Sequence, residues 1–214
     1  MSAQHLGLCS LLGLSLAACS TVLAPRPDQS RFFVLTPISE TAPSAPLTLG
    51  RSTNALTLGL GPVKFPEYVE RPEMVTRVTP NRLELSDNDR WAEPLKKNFV
   101  RVLAQDLTTV TGARQVSTFP WFHPATFDYQ VAVDVSRFDT DPAAGAQLIA
   151  HWEIRDPQTG ELLSSGDSNI GETAQSGESA ASTLSRAVGD LSRELAHAIQ
   201  SVEARPRLKP RVTD

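Results

Sequence analysis

The sequence predicts an α+β domain in which two long amphipathic helices pack on one face of a mostly antiparallel sheet. Two stretches carry apolar residues at spacings of three and four, the period of a helix with one buried face. Two others alternate apolar and polar residues, the period of a strand with one buried face. Along the chain the order is strands, helix, strands, helix, which favours an α+β layer.

The two predicted helices cover about residues 90–111 and residues 184–202. Asp89 is the expected cap of the first helix, Pro94 lies in its first turn and Gly112 ends it. The inward positions are Leu95, Phe99, Val102, Leu103, Leu107 and Val110 in the first helix, and Leu184, Val188, Leu191, Leu195, Ile199 and Val202 in the second.

The most regular strand patterns lie between the two helices. Alternation over 129–135 and 146–154 predicts two neighbouring strands, and shorter candidates follow at 161–165 and 168–170. We expect three or four antiparallel strands in this part of the chain.

The strand candidates before the first helix are shorter. They are 31–36, followed by a Pro-, Ser- and Thr-rich loop at 37–46, and 56–60, which Pro62 ends or places at an edge. The last two candidates, 74–77 and 82–85, flank Pro80-Asn81 and predict an antiparallel hairpin.

Composition excludes several functional classes. Apolar residues make up 40% and charged residues 21% of the 214 residues, so we expect a folded globular domain. The formal charge is −4, and the single basic cluster is Arg205, Arg207, Lys209 and Arg211. A nucleic-acid-binding surface must be basic to displace counterions from phosphates, so no nucleic-acid partner is expected.

The sequence carries no catalytic or metal-binding motif. His123, His151 and His197 lack ligand spacing, and no Gly-x-Ser-x-Gly, Walker or dinucleotide motif occurs, so we expect no enzyme, cofactor or metal. The acidic residues Glu84, Asp87 and Asp89 allow a general acid–base pair or a metal site. Loop turns and a helix cap before Trp91 explain them more simply.

The beginning of the chain reads as an export signal. Residues 6–18 form an apolar stretch of signal-peptide length that is too short to cross a bilayer permanently. It ends in Leu16-Ala17-Ala18-Cys19, which resembles the bacterial lipobox, where the cysteine thiol takes a diacylglycerol. We therefore expect a lipoprotein signal peptide at 1–18, cut before Cys19, with acyl chains such as palmitate on that cysteine.

The rest of the chain is expected to form one domain. A lipidated tether at 19–30 precedes a single α+β domain at 31–204, and a disordered basic tail follows at 205–214. The residue after the acylated cysteine is Ser20 and not Asp, which by resemblance to lipoproteins of double-membrane bacteria favours the periplasmic face of the outer membrane.

One long stretch carries a family resemblance. The runs LGLGPVKFPEYVERPEMVTR at 58–77 and NRLELSDNDRWAEPL at 81–95 resemble the signature of the PqiC-like auxiliary lipoproteins of ABC transporters, the DUF330/YmbA type. The first strand, RFFVLTP at 31–37, and the last helix extend the resemblance over nearly the whole mature chain. The family usually has a Tyr-Tyr or similar aromatic pair where this chain has Phe32-Phe33.

The resemblance implies a non-catalytic subunit of an intermembrane lipid transport system. Its implied partner is an MCE-domain protein that spans the envelope from an inner-membrane permease and ATPase, and such systems move phospholipids or other lipids between membranes. The chain would dock the far end of this conduit at the membrane that holds its acyl anchor. The resemblance also allows a ring-like homo-oligomer.

Two short segments are the candidate partner interface, because exposed aromatic and Arg side chains make good anchors. A bracing role between the sheet and the first helix is the alternative for several of them. Two other functions stay open: an assembly or regulatory lipoprotein that pairs with an outer-membrane barrel or a cell-wall synthase, and a hydrolase using Asp87 or Asp89. The candidate interface residues are Phe65, Pro66, Tyr68 and Arg71 with Pro72, and Asn81, Arg82, Asp89, Arg90 and Trp91.

Overall fold

The structure is a computed structural model that describes residues 28–41, 56–121, 126–142, 145–174 and 179–205. The predicted signal peptide and Cys19 lie outside the described residues, as do residues 20–27 of the tether, 42–46 of the predicted loop and 206–214 of the tail. The chain divides into two units at Ser30, and the second, Arg31–Asp214, contains every element described below.

The second unit contains three helices and eight strands within the described ranges. A 3-10 turn, Glu67–Val69, separates the second and third strands. The strands are β1 (Arg31–Phe33), β2 (Thr57–Lys64), β3 (Glu73–Thr79), β4 (Arg82–Trp91), β5 (Gln115–Thr118), β6 (Tyr129–Asp141), β7 (Gly145–Arg155) and β8 (Leu162–Glu172), and the helices are α1 (Ile38–Thr41), α2 (Leu95–Thr111) and α3 (Ala180–Glu203).

The eight strands form one sheet organised around the long strand β6. On one side of β6, β7 and β8 complete the predicted antiparallel meander. On its other side, β6 pairs in parallel with β2 along its first half and with β3 near its end. β4 then pairs with β3 as the predicted antiparallel hairpin, while β1 and β5 add parallel pairs to β4 and β2.

The prediction that both long helices pack on one face of the sheet is confirmed. The inward positions of the two regular strand patterns are all buried, from Tyr129 to Val135 and from Ala146 to Ile154. They meet the inward residues of α2 and α3, which are buried as the helical spacing predicts. None of the helices in the described ranges is both long and apolar enough to span a membrane.

The start of the first long helix was predicted wrongly. The helix begins at Leu95 with Pro94 as its N-cap, and no side chain caps it. Asp89 lies on β4, because the chain stays in the sheet to Trp91, whose N–H donates to the Pro72 carbonyl at 2.7 Å. The predicted end is confirmed: Gly112 has φ 68°, a left-handed conformation that glycine adopts without steric cost.

Several shorter elements also differ from prediction. β2 continues past Pro62 to Lys64 through a register shift, a place in a sheet where proline is tolerated. The candidates at 161–165 and 168–170 are one continuous strand, β8. Helix α1 lies within the predicted loop at 37–46, and β5 was not predicted, since its sequence Gln-Val-Ser-Thr has no regular apolar alternation.

Candidate functional surface

Two aromatic residues of the predicted interface are part of the core. Phe65 is 9% exposed, and its ring lies 5.1 Å from the ring of Phe99 and 5.5 Å from that of Phe138, centroid to centroid. Trp91 is 6% exposed at the end of β4. The prediction of exposed aromatic anchors is therefore wrong for both, and the burial of Trp91 fits the alternative of a brace between sheet and helix.

The loop after Phe65 is held by a buried carboxylate. Asp139 is 1% exposed and accepts from the Tyr68 hydroxyl at 2.9 Å, from Arg77 Nη2 at 2.7 Å and from Arg137 Nε at 2.8 Å. Burial and the hydrogen bond to Asp139 raise the pKa of Tyr68, and the same carboxylate raises the pKa of Arg77. These bonds fix the 3-10 turn Glu67–Val69 against β3 and β6.

The fixed loop forms one wall of an open groove of about 1030 Å³ beside α2. The opposite side is formed by an outer stripe of α2 beside its buried face, in which Val100 and Ala104 are half-buried and also pack against the core. Arg71, Pro72 and Trp91 are the members of the predicted interface that line it. The other lining residues are Glu70, Ala92, Glu93, Pro94, Leu95, Lys96, Lys97, Arg101, Gln105, Thr118 and Phe119.

Phe119 lines the groove and was not selected from the sequence. Its side chain is 52% exposed, its ring lies 5.3 Å from the ring of Trp121, and its N–H donates to the Leu60 carbonyl at 2.9 Å. The backbone of Gly61 has φ 135°, and a Cβ there would lie 2.4 Å from Phe119 Cβ, so only glycine fits beside it. The aromatic cluster Phe119-Pro-Trp-Phe was the signal in the sequence.

The remaining predicted interface residues lie on the β3–β4 hairpin and its edge. Asn81 and Arg82 are exposed at the hairpin tip, where Arg82 pairs with Glu84. Further along β4, Asp89 accepts from Arg31 Nε at 2.6 Å, and Arg90 lies 3.2 Å from Glu73. Pro66 is half-buried at the start of the 3-10 turn.

The acidic residues on β4 do not form a cluster. Glu84 and Asp89 pair with different arginines, and Asp87 is exposed in a stretch where the β3–β4 register shifts by several residues. Neither the predicted turn nor the predicted helix cap is present at these positions. Across the described ranges, no three His, Cys, Asp or Glu side chains come together in an arrangement that could hold a metal ion.

The hairpin edge also exposes apolar side chains that sequence reasoning did not select. Phe32 on β1 is 64% exposed, Val34 just after it 42%, and Leu85 on β4 45%. β1 has three residues and, among the described strands, pairs with β4 alone, so it is an edge of the sheet. Phe32 pairs with Arg90 near one end of β4, whereas Arg82 lies at the hairpin tip, eight positions along the strand, with Leu85 between them. We call this edge, which runs from Phe32 and Val34 past Leu85 to Asn81 and Arg82, the hairpin edge.

The sequence of this chain matches the family described as "ABC-type transport auxiliary lipoprotein component" over residues 37–196. That range includes both long helices up to Ala196 and all strands except β1. The chain belongs to this family. None of the curated proteins is significantly similar in sequence to it.

Solved structures share the fold at low sequence identity. A crystal structure of a Xanthomonas campestris protein, described as DUF330, matches with a TM-score of 0.59 and 15% identity, covering 82% of this chain and all of that one. A crystal structure of an uncharacterised protein matches with a TM-score of 0.60 and 15% identity, covering 79% of this chain and 98% of that one. The PelC dodecamer of Paraburkholderia phytofirmans reaches a TM-score of only 0.40 at 12% identity, covering 70% and 93% of the two chains.

Proposed function

We propose that this chain is a lipid-anchored, non-catalytic subunit of an ABC-type system that moves lipids between membranes, and that its partner is an MCE-domain protein. The observation that carries this proposal is the family match over residues 37–196, since the family is one of transport auxiliary lipoproteins. The lipobox-like Leu16-Ala17-Ala18-Cys19 supports the anchor, and Ser20 supports the outer membrane.

Acyl chains on Cys19 would hold the domain permanently at a membrane. Lipoproteins carry about three acyl chains, and at about 0.8 kcal/mol per buried CH₂ the total reaches tens of kcal/mol. A docking subunit needs such an anchor because it must stay at one membrane while its partner arrives from the other. The proposed outer-membrane position follows from the sequence after Cys19.

We assign docking of the MCE protein to the hairpin edge. Three apolar side chains stand exposed there, and Arg82 and Asn81 supply polar groups at the hairpin tip, a combination found in protein interfaces. Self-association through the same edge is the competing use of this surface, because an edge strand presents unpaired backbone groups to another chain.

The anchor is tested by mass spectrometry of the mature chain from envelopes. We expect a diacylglyceryl and acyl modification on Cys19, and loss of envelope attachment in Cys19→Ser. An unmodified amino terminus, or a Cys19→Ser chain that stays firmly in the envelope, contradicts the proposal.

Docking is tested by photo-crosslinking in living cells, with the crosslinking amino acid at Arg82. Gln158, exposed in the turn between β7 and β8, is the matched control position. We expect a crosslink to an MCE protein from position 82 and none from position 158. A crosslink from position 82 to a cell-wall synthase or an outer-membrane barrel, or only to a second copy of the chain, contradicts this assignment.

A further inference from the structure

The groove beside α2 has an apolar floor that no other part of the described chain covers. Trp91, Val100, Ala104 and Phe119 contribute apolar surface to it, with Pro72 and Pro94 beside them. Its volume of about 1030 Å³ lies at the upper limit of small-molecule sites, which span roughly 300–1,000 Å³. The groove is open to solvent, so a long ligand can lie in it with one end in water.

The charges around the groove favour an anion. Its lining contains four cationic side chains and two carboxylates, whereas the whole chain has a net charge of −4. Arg101 is paired with Glu93 at 3.0 Å and Lys96 with Glu70 at 3.7 Å. Within the described part of the chain, the other two cations, Arg71 and Lys97, form no ion pair, although the hydrogen bond from Arg101 and, to a lesser extent, the charge of Lys97 lower the pKa of Glu93. The lining therefore keeps an excess of positive charge that favours a ligand's negative group.

The walls suit a hydrocarbon chain better than an extended peptide. A bound peptide needs partners for its backbone N–H and C=O groups, and burying them unpaired is costly. Here one wall is helix α2, whose backbone groups are paired within the helix beyond its first turn, and Pro72 and Pro94 have no N–H. An acyl chain has no polar groups to satisfy and gains from every CH₂ that it buries.

We propose that the groove binds a single-chain anionic amphiphile, with its acyl chain along the floor at Val100 and Ala104 and its head group at Arg71 and Lys97. This goes beyond the docking role, which gives the chain no contact with lipid. It gives the domain a lipid site of its own, separate from the acyl groups proposed on Cys19. The proposed lipid site does not depend on the identity of the transport partner, so this proposal stands even if that partner is not an MCE protein.

The test is quenching of tryptophan fluorescence by brominated stearate, because Trp91 borders the groove. The full chain carries Cys19→Ser, which removes the proposed acylation site and leaves the groove unchanged, and all amphiphiles stay below their micelle concentrations. We expect saturable quenching. Palmitoyl lysophosphatidylglycerol should reverse it at a concentration about tenfold lower than lysophosphatidylcholine with the same chain, and glycerol phosphate alone should not reverse it.

Two matched pairs of variants locate the site. Lys97→Glu should weaken binding about tenfold, whereas Arg114→Glu makes the same charge change at an exposed position outside the groove and should leave it unchanged. Val100→Asp should abolish saturable quenching, whereas Leu162→Asp, at an exposed apolar position on β8, should not. Circular dichroism melting confirms that each variant is folded.

Three results would overturn the proposal. One is quenching that does not saturate or that is equal in all four variants, which indicates partition without a site. A second is displacement of brominated stearate by an acidic amphipathic helical peptide at lower concentration than by lysophosphatidylglycerol, which assigns the groove to a protein partner. The third is a change in sedimentation caused by Val100→Asp with no change in amphiphile binding, which assigns it to a second copy of the chain.

Discussion

The two long helices have similar sequence patterns and different surroundings. Helix α3 contacts β6, β7, β8 and both other helices, with buried positions from Ala181 to Val202. At Gly189 an added Cβ would lie 3.0 Å from Ile38 Cγ1, so this side of α3 is packed closely against α1. Helix α2 buries one face in the same core, and the adjoining outer stripe, with Val100 and Ala104, lines the open groove. Amphipathic spacing therefore identifies the buried face of each helix. It does not show whether the other face binds a ligand or a partner.

Buried polar residues of both helices bind backbone groups. Asn98 and Asp106 on α2 bind the backbone of the segment before them in the chain, accepting from Leu35 N at 2.6 Å and Ile38 N at 2.8 Å. Ser192 on α3 donates to the carbonyl of Val188 in its own helix at 2.8 Å. On α3, Ser185 also accepts from Thr36 N at 3.0 Å, so both helices hold the segment between β1 and α1, with two of these bonds coming from α2 and one from α3.

The largest effect should come from α3. Leu195→Ala removes a fully buried side chain and should lower the free energy of unfolding by about 2–5 kcal/mol, because a cavity remains where the side chain was. The matched change on the outer stripe of α2, Val100→Ala, should cost less than about 1 kcal/mol. Urea denaturation measures both, and equal losses would mean that Val100 contributes as much to the core as Leu195 does.

The next effect depends on pH. Burial raises the pKa of Asp106 from 3.8 to about 6, and within the described residues its Oδ2 has no hydrogen-bond partner. The folded state then binds more protons than the unfolded state between these values, so this residue's contribution to stability falls as pH rises from about 4 to about 6. Asp106→Asn removes the buried charge and should stabilise the protein by up to about 3 kcal/mol above pH 6.

Urea titrations of wild type and Asp106→Asn at pH 4 and pH 8 test this. The free energy of unfolding of Asp106→Asn should be close to that of wild type at pH 4 and should exceed it most at pH 8. A gain of the same size at both would show that charge is not the cause. A lower free energy of unfolding for Asp106→Asn than for wild type at pH 8 would show that the charged carboxylate stabilises the fold.

A smaller effect separates the polar residues of the two helices. Asn98→Ala leaves the buried N–H of Leu35 without its acceptor and should cost about 1–3 kcal/mol. Ser192→Ala removes a bond to a carbonyl that the helix already uses and should cost under about 1 kcal/mol. Amide exchange at Leu35 should become faster in Asn98→Ala alone, and equal exchange in both variants would contradict the distinction.

The smallest effect is expected at the groove. Lys97→Glu changes an exposed side chain with no ion pair among the described residues and should alter the free energy of unfolding by no more than about 0.5 kcal/mol. Thermal denaturation measures it, with Arg114→Glu as the control. A loss above about 1 kcal/mol would give Lys97 a structural role.

The residue pattern of a segment predicted its structure correctly where the segment keeps the same surroundings along its length. The alternation in β6 and β7 is correct because both strands turn one face to the helices throughout. The helix start at 90 was wrong because Trp91 N–H bonds to Pro72, a contact between distant elements that spacing does not reveal. β5 is held by parallel pairing with β2, which its own four residues do not encode.

The candidate surface was harder to predict than the fold. Arg71 and Trp91 were selected from the sequence as residues of one interface, and both line the groove. Trp91, however, is a buried residue of the core and was expected to be exposed. Phe119 and the outer stripe of α2 were not selected, because the groove brings together residues about 50 positions apart in the chain. Only packing of the loop after β2 against α2 and β5 creates it.

Hydrogen–deuterium exchange with and without palmitoyl lysophosphatidylglycerol tests most directly the division between a structural α3 and an α2 that also binds a ligand. The ligand should slow exchange in residues 93–105 and around Arg71 and Phe119, and leave α3 at residues 180–203 unchanged. Slower exchange confined to α3, or equal exchange throughout the chain in both conditions, would contradict this account.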